Sequence, residues 1–105
     1  MNKYILYRIG KSLDEEEVYD NEILEEEELV SVEYGDSLDD VLEDILRDIR
    51  DDLSGMSEYE KCDVRAGGPL DGNYDLGPFD FVGIVAPPVA EKNILFNYTV
   101  EVESV

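Results

Sequence analysis

The clearest pattern of apolar and polar positions lies in residues 38–53. Apolar side chains recur there at intervals of three and four residues, which places them on one stripe of an amphipathic helix. The stripe consists of Leu38, Val41, Leu42, Ile45, Leu46, Ile49 and Leu53. Ser37 is a suitable N-cap, Asp40 stands three residues later as in a capping box, and Gly55 is suited to end the helix. The pattern predicts a helix that packs its apolar stripe on the rest of the domain.

Four other segments have the alternation, or the β-branched and aromatic content, that is typical of strands. They are residues 4–9, 29–34, 79–86 and 94–103. The second segment is predicted to point Val30, Val32 and Tyr34 toward the core and the polar residues between them toward solvent. The third is apolar on both faces, which is typical of a buried central strand.

The order of these elements is strand, strand, helix, strand, strand. A parallel sheet would need further crossover helices, which the pattern does not supply. Residues 87–92, which contain Pro87 and Pro88, have a suitable length for a hairpin connection between the last two strands. We therefore predict an α+β fold, in which a mainly antiparallel sheet of about four strands packs against one amphipathic helix.

Two segments have no sustained periodicity. Residues 14–28 carry ten carboxylates and are interrupted by two apolar pairs, Val18-Tyr19 and Ile23-Leu24. Two interpretations stay open: the pairs anchor this segment to the body, or residues 12–28 form a mobile acidic loop that repels itself. Residues 56–78 are rich in Gly and Asp and predict a long loop with turns. A loop of this length is unusual, so a short helix near residues 57–62 and a functional surface are the alternatives.

The composition indicates a single acidic domain spanning residues 1–105. A hydrophobic content of 43% is ordinary for a globular protein, and a chain of 105 residues can bury a core without disulfides or metal. The charge is extreme, because 28 Asp and Glu face 8 Lys and Arg, a net charge of −20. So strong a negative charge excludes direct binding to nucleic acid or to a membrane surface as the main activity. The expected partners are basic protein surfaces or cations, and solubility alone is the alternative role of the charge.

The single cysteine, Cys62, cannot form an internal disulfide, so a disulfide-stapled secreted scaffold is excluded. The chain has no apolar run of signal-peptide length and none that approaches the ~20 residues of a transmembrane helix. We therefore expect a cytoplasmic protein. The sequence leaves its oligomeric state open.

Catalytic chemistry has little support in the residue types. The chain contains no histidine, so the commonest general base and the Ser-His and Cys-His nucleophile systems are missing. One cysteine without histidine cannot supply the usual zinc ligands. Asp71, Asn73 and Asp75 have the spacing that begins an EF-hand loop, but Leu76 stands where Gly is needed and Val82 where Glu is needed. We expect no enzyme activity, cofactor or specific metal site, and weak divalent-cation binding stays an alternative.

The charge pattern itself is the best functional signal. On the predicted helix, Asp40, Asp44 and Asp48 recur every four residues, about 6 Å apart along the axis. Alternate phosphates of a DNA strand advance about 7 Å, which is a loose match. The predicted partner-binding residues form two groups. The first is Asp14, Glu15, Glu16, Glu17, Asp20, Glu22, Glu25, Glu26, Glu27 and Glu28, and the second is Asp40, Asp44, Asp48 and Asp51.

In size, net charge and distribution of acidic residues, the chain resembles the nucleic-acid-mimic inhibitors. These are small acidic proteins of phages and mobile elements that block restriction enzymes, CRISPR effectors or DNA-repair enzymes. Such inhibitors do not share one fold, so the resemblance carries no structural expectation. It implies a protein partner whose Arg- and Lys-lined groove normally holds phosphates. The alternative is an ordinary acidic interaction module, such as an immunity, antitoxin-like or accessory protein.

Overall fold

Five strands and one helix make up the regular structure of the described residues. The computed structural model describes residues 1–12, 27–68, 77, 79–89 and 92–105. In chain order the elements are β1 (Asn2–Ser12), β2 (Glu28–Gly35), α1 (Leu38–Ser54), a 3₁₀ turn (Ser57–Tyr59), β3 (Asp63–Gly67), β4 (Asp80–Ala86) and β5 (Ile94–Ser104). The acidic segment 14–26 and the EF-hand-like positions 71–75 lie outside the described residues.

The strands form one sheet in the order β2-β1-β5-β4-β3, and every neighbouring pair is antiparallel. The long strand β1 lies between β2 and β5, so that Tyr4 is opposite Glu33 on one side and Val102 on the other. β4 and β5 are consecutive antiparallel neighbours, as the hairpin prediction requires. The α+β class and the mainly antiparallel sheet with one helix are confirmed, and the described sheet has five strands where about four were predicted.

The core lies between α1 and one face of the sheet. The helix buries Val41, Ile45, Ile49 and Leu53, which are the central positions of the predicted stripe. They pack with Tyr4 and Leu6 of β1, Phe81 and Val85 of β4, and Phe96, Tyr98 and Val100 of β5. Gly83 is needed at this contact, because a Cβ there would come within 2.8 Å of both the Leu53 and the Tyr98 side chains. The helix therefore lies close against β4, where no side chain separates it from the backbone.

The opposite face of the sheet carries a smaller apolar cluster of Val82, Ile84 and Leu95. β4 is thus buried on both faces over residues 81–85, as the apolar character of both its faces predicts. Its neighbours β3 and β5 pair with it on both sides, so β4 is an interior strand of the described sheet, whereas the central position that was predicted for it belongs to β5.

The predicted facing of β2 is wrong. Ser31 is opposite Leu6 and Glu33 is opposite Tyr4, and both of those β1 residues belong to the core on the helix side. Val32 is opposite Ile5, on the face away from the helix, and Tyr34 is 56% exposed. A register shift between Leu6 and Tyr7 interrupts the alternation, and Val30 beside it does pack against the main core. Alternation alone could not reveal which face the helix would cover, because a β-bulge shifts the pairing by one residue.

The predicted loop 56–78 contains two elements. The 3₁₀ turn Ser57–Tyr59 agrees with the short helix that was the alternative for this segment, and it buries Tyr59 edge-on against Phe96. β3 was not predicted. Its five residues offer only Val64 and Ala66 as an alternating apolar pair, and Gly67 and Gly68 follow at once. Edge strands this short give too few positions for a periodic signal.

Candidate acidic binding surface

The outer side of α1 presents carboxylates to solvent. Because the stripe Val41, Ile45, Ile49 and Leu53 faces the sheet, the residues on the opposite side of the helix point away from the protein. Four acidic side chains are exposed there, and we call them the outer carboxylates: Asp39, Asp40, Glu43 and Asp51. Among the described residues none of the four forms an ion pair. They are therefore available to an external cation.

Asp40 also fixes the start of the helix. The backbone N–H of Ser37 donates to the Asp40 carboxylate at 3.2 Å, which is the interaction that the predicted capping box requires of its acidic member. Asp39 and Asp40 both lie in the first turn, where the positive end of the helix dipole stabilises negative charge. The N-terminal half of α1 is thus a rigid position for carboxylates, held by the cap at one end and by the buried stripe beneath.

Asp44 and Asp48 lie on the side of α1 that faces β2. The hydroxyl of Ser31 donates to the Asp48 carboxylate at 2.8 Å, and the Asp48 side chain is only 13% exposed. Arg47 donates to Asp44 at 3.0 Å and lies 3.5 Å from Asp48 and 3.7 Å from Glu33. Asp40, Asp44 and Asp48, which were predicted to form one row, therefore have different surroundings. Asp40 lies on the outer surface, whereas Asp48 lies mainly in the contact between helix and sheet.

Glu33 is brought against these helix carboxylates by the facing of β2. A hydrogen bond with Asp48, burial, and the negative charges of Asp48 and Asp44 together raise the pKa of Glu33 above its ordinary value. Arg47 acts in the opposite direction and offsets part of the repulsion. Protonation of Glu33 would remove its repulsion from these neighbouring carboxylates, which is why its pKa rises. This junction between α1 and β2 therefore carries more negative charge than Arg47 alone balances.

A second polar cluster joins the C-terminal end of α1 to the sheet. Asp52 accepts hydrogen bonds from the Tyr98 hydroxyl and from the Arg8 guanidinium, both at 2.8 Å. Arg8 also forms an ion pair with Glu28. Burial, followed by the hydrogen bond to Asp52, raises the pKa of Tyr98, so the phenol stays protonated and donates. The cluster connects α1 to β1 and β2 through the Arg8 guanidinium and to β5 through the Asp52 carboxylate.

Sequence reasoning did not identify this cluster, although it contained a signal. Tyr4, Leu6 and Arg8 alternate along β1, so Arg8 shares a face with two residues that are buried in the core. An arginine in an apolar row needs an acceptor nearby. Asp52 could not be chosen from the many carboxylates of this chain without the three-dimensional arrangement.

The remaining predicted partner-binding residues divide into three groups. Glu27 is exposed, and Glu28 is exposed but already bound to Arg8. Asp51 is one of the outer carboxylates. The other eight predicted residues, Asp14, Glu15, Glu16, Glu17, Asp20, Glu22, Glu25 and Glu26, lie outside the described part of the chain.

Other kinds of site have no counterpart in the described residues. No group of three or more acidic, histidine or cysteine side chains there has an arrangement that could hold a metal ion. Cys62 is half-buried and packs against the core.

A hollow of about 420 Å³ lies beside α1. It is lined by Leu46 and by two acidic and two basic residues, Glu43, Asp44, Arg47 and Arg50. No helix among the described residues is long and apolar enough to cross a membrane.

Comparison of the chain with protein-family models, with curated proteins and with solved structures gave no match.

Proposed function

We propose that this chain is a non-enzymatic acidic protein that occupies the basic nucleic-acid channel of a DNA- or RNA-handling protein and inhibits it. Inhibitors of the anti-CRISPR or anti-restriction type, of phage or mobile-element origin and acting in the cytoplasm, have this mode of action. The observation that carries the proposal is the set of outer carboxylates, which a capped and well-packed helix holds on the surface beside Arg47 and Arg50. None of the four forms an ion pair among the described residues.

The spacing of these groups supports mimicry of a phosphate row. Asp39 and Glu43 are one helical step of four residues apart, or about 6 Å along the axis. Alternate phosphates of one DNA strand are separated by a similar distance, about 7 Å. A net charge of −20 adds long-range attraction toward any groove lined with Arg and Lys.

A competition assay tests the proposal directly. A restriction endonuclease, a CRISPR effector and a DNA-repair glycosylase are each bound to a fluorescent oligonucleotide, and the chain is added at several NaCl concentrations. We expect displacement from at least one of these proteins, with weaker displacement at higher salt. Binding of the chain and the oligonucleotide to the same protein without mutual effect would contradict mimicry.

Neutralising variants locate the effect. The triple variant Asp39→Asn/Glu43→Gln/Asp51→Asn removes three outer carboxylates and leaves the Asp40 cap in place. The control Glu58→Gln/Glu60→Gln/Glu101→Gln changes the net charge equally at exposed positions elsewhere. We expect the first variant to lose more affinity and more salt dependence than the control, without loss of thermal stability. Equal losses for both variants would show that only total charge matters.

The ordinary acidic interaction module is supported by a different observation. Glu28, Glu33, Asp44, Asp48 and Asp52 all take part in ion pairs within the protein, so part of the acidity serves the fold. An immunity, antitoxin-like or accessory protein would need only a local acidic patch. The same assay separates the two functions, because a module of this kind leaves the oligonucleotide of its partner bound.

A further inference from the structure

β2 lies at one edge of the described sheet. Within the part of the chain that the structure describes, it pairs with β1 alone and occupies one end of the sheet. It is eight residues long and contains neither proline nor lysine. Proteins prevent an edge from pairing with another chain by proline, lysine and other charged side chains, or by a β-bulge, and of these β2 has Glu28, Glu33 and the register shift beside Val30. The other edge strand, β3, has only five residues and ends in glycine, so it offers a shorter ladder.

The two faces of β2 differ in chemistry. On the face away from the helix, Leu29 is 63% exposed and Tyr34 is 56% exposed, with Val32 half-buried between them. On the helix side the strand presents Glu28 and Glu33, which are opposite the core-facing residues Arg8 and Tyr4 of β1. An added strand would therefore meet an apolar row on one face and carboxylates on the other.

The carboxylate face has more negative charge than its own cations balance. Glu33 stands against Asp44 and Asp48 of α1, and Arg47 is the guanidinium within 4.0 Å of it among the described residues. Glu28 shares Arg8 with Asp52. A further cation placed beside Glu33 would relieve the repulsion among these carboxylates.

We propose that β2 accepts, as a sixth strand, an extended segment of a partner protein in which Arg or Lys alternates with apolar residues. The basic side chains lie beside Glu28 and Glu33, and the apolar side chains cover Leu29, Val32 and Tyr34. Strand addition of this kind gains affinity from main-chain hydrogen bonds and specificity from the alternating side chains. The inference deepens the proposed function, because it names how an acidic binding protein selects a basic partner.

Charge decides against a second copy of this chain as the occupant. Pairing two β2 edges would bring together two molecules with a net charge of −20 each and would place Glu28 and Glu33 near further carboxylates. Like charges placed directly opposite one another destabilise a strand pair. A segment in which basic and apolar residues alternate would instead be attracted by the net charge of the chain and by Glu28 and Glu33.

Two synthetic peptides of equal composition test the proposal with the full chain. The first is fluorescein-labelled acetyl-(Arg-Val)₄-amide, and the second is the block isomer Arg₄Val₄ with the same label. We expect the alternating peptide to bind at least about tenfold more tightly, because only it can place its apolar groups on one face and its charges on the other. Equal affinity of the two peptides would overturn strand addition and leave charge attraction alone.

A pair of variants tests the position. Leu29→Ser/Tyr34→Ser removes exposed apolar groups, so the fold has little to lose, and Val89→Ser/Val105→Ser is a matched control at exposed positions outside β2. We expect the first variant to weaken binding of the alternating peptide about tenfold and the control to change it less than about twofold. Amide hydrogen exchange should slow at β2 in the complex, and unchanged exchange there would overturn the proposal.

The outcomes separate this inference from the proposed function. Peptide binding at β2 without displacement of any oligonucleotide would leave the edge site intact and contradict mimicry. Displacement of an oligonucleotide together with equal affinity for the two peptides would support mimicry and contradict strand addition at β2. If light scattering shows a dimer that Leu29→Ser/Tyr34→Ser dissociates, the occupant of β2 is a second copy and the proposed basic segment is wrong.

Discussion

Asp52 illustrates how a single carboxylate in so acidic a chain can have a structural role. Its neighbour Asp51 is exposed, whereas Asp52 is turned toward the sheet and accepts hydrogen bonds from Arg8 and Tyr98. The Tyr98 side chain is only 2% exposed, so its hydroxyl has no ready access to water. Removing its acceptor would leave a buried donor unsatisfied, which costs more than the hydrogen bond contributes net.

We therefore expect Asp52→Ala to lower the free energy of unfolding by about 1–3 kcal/mol. Asp51→Ala is the matched control, because it removes the adjacent carboxylate from the same helix and should change stability by less than about 0.5 kcal/mol. Urea denaturation followed by circular dichroism measures both. Equal stability of the two variants would mean that the cluster contributes nothing to the fold.

Ile45 tests the apolar stripe at the same scale. It is 1% exposed at the centre of the helix, so truncating it should leave a cavity between α1 and the sheet. We expect Ile45→Ala to cost about 2–5 kcal/mol. Glu43→Ala, on the outer side of the same turn, should leave the melting temperature nearly unchanged. A large loss for Glu43→Ala with none for Ile45→Ala would mean that the helix presents the opposite face to the sheet.

Among the elements, those with the longest periodic pattern of apolar residues were predicted best. The helix repeats its pattern over four turns, and its start at Leu38 and its buried positions were predicted from the sequence. Pairing with β1 decides which side chains of β2 face the helix, and a register shift beside Val30 interrupts their alternation. β3 gains its stability from pairing with β4 and has almost no pattern of its own. Long-range pairing is information that local alternation does not contain.

The unexpected orientation of β2 has a measurable consequence for pH dependence. In the folded protein the pKa of Glu33 is raised, chiefly by its hydrogen bond to Asp48. A carboxyl group with a raised folded pKa binds protons more readily in the folded state, so its charged form destabilises the fold. As the pH falls from neutral through that raised pKa, stability should increase, and the gain is complete below the ordinary value of 4.5.

Glu33→Gln should remove this part of the pH dependence and stabilise the protein at neutral pH. Glu43→Gln is the control, since it makes the same charge change at an exposed helix position. The difference between the two variants, in urea denaturation at a series of pH values, isolates the junction of α1 and β2. A Glu33→Gln profile that is parallel to the control would show that the contact with Asp48 does not raise the pKa of Glu33.

The whole molecule combines a conventional core with a surface of one dominant sign. The core was foreseeable because it depends on apolar periodicity, whereas the division of carboxylates into structural and exposed groups was not. Asp40, Asp44 and Asp48 have the same spacing, yet the first is exposed and the last is enclosed by Ser31 and Arg47. Asp48 is enclosed because α1 lies beside β2 at this point, and sequence spacing does not specify that contact.

Self-repulsion should make the stability of the molecule depend on salt. Screening shortens the range of surface electrostatics to about 10 Å at 0.1 M salt. It relieves repulsion among exposed carboxylates more than it weakens the half-buried ion pair of Arg8 with Asp52. We therefore expect the melting temperature to rise from low to moderate NaCl. The variant Asp39→Asn/Glu43→Gln/Asp51→Asn should begin at a higher melting temperature and rise less.

Calcium chloride at matched ionic strength separates screening from specific binding. If the negative surface acts only through repulsion, calcium and sodium should raise the melting temperature of the wild type by similar amounts. A calcium effect several times larger would favour the divalent-cation alternative, because a ligand that binds only the folded state stabilises it by mass action. A flat sodium curve would contradict self-repulsion itself and show that the charges are balanced within the fold. Differential scanning calorimetry on both proteins in both salts measures all of these outcomes.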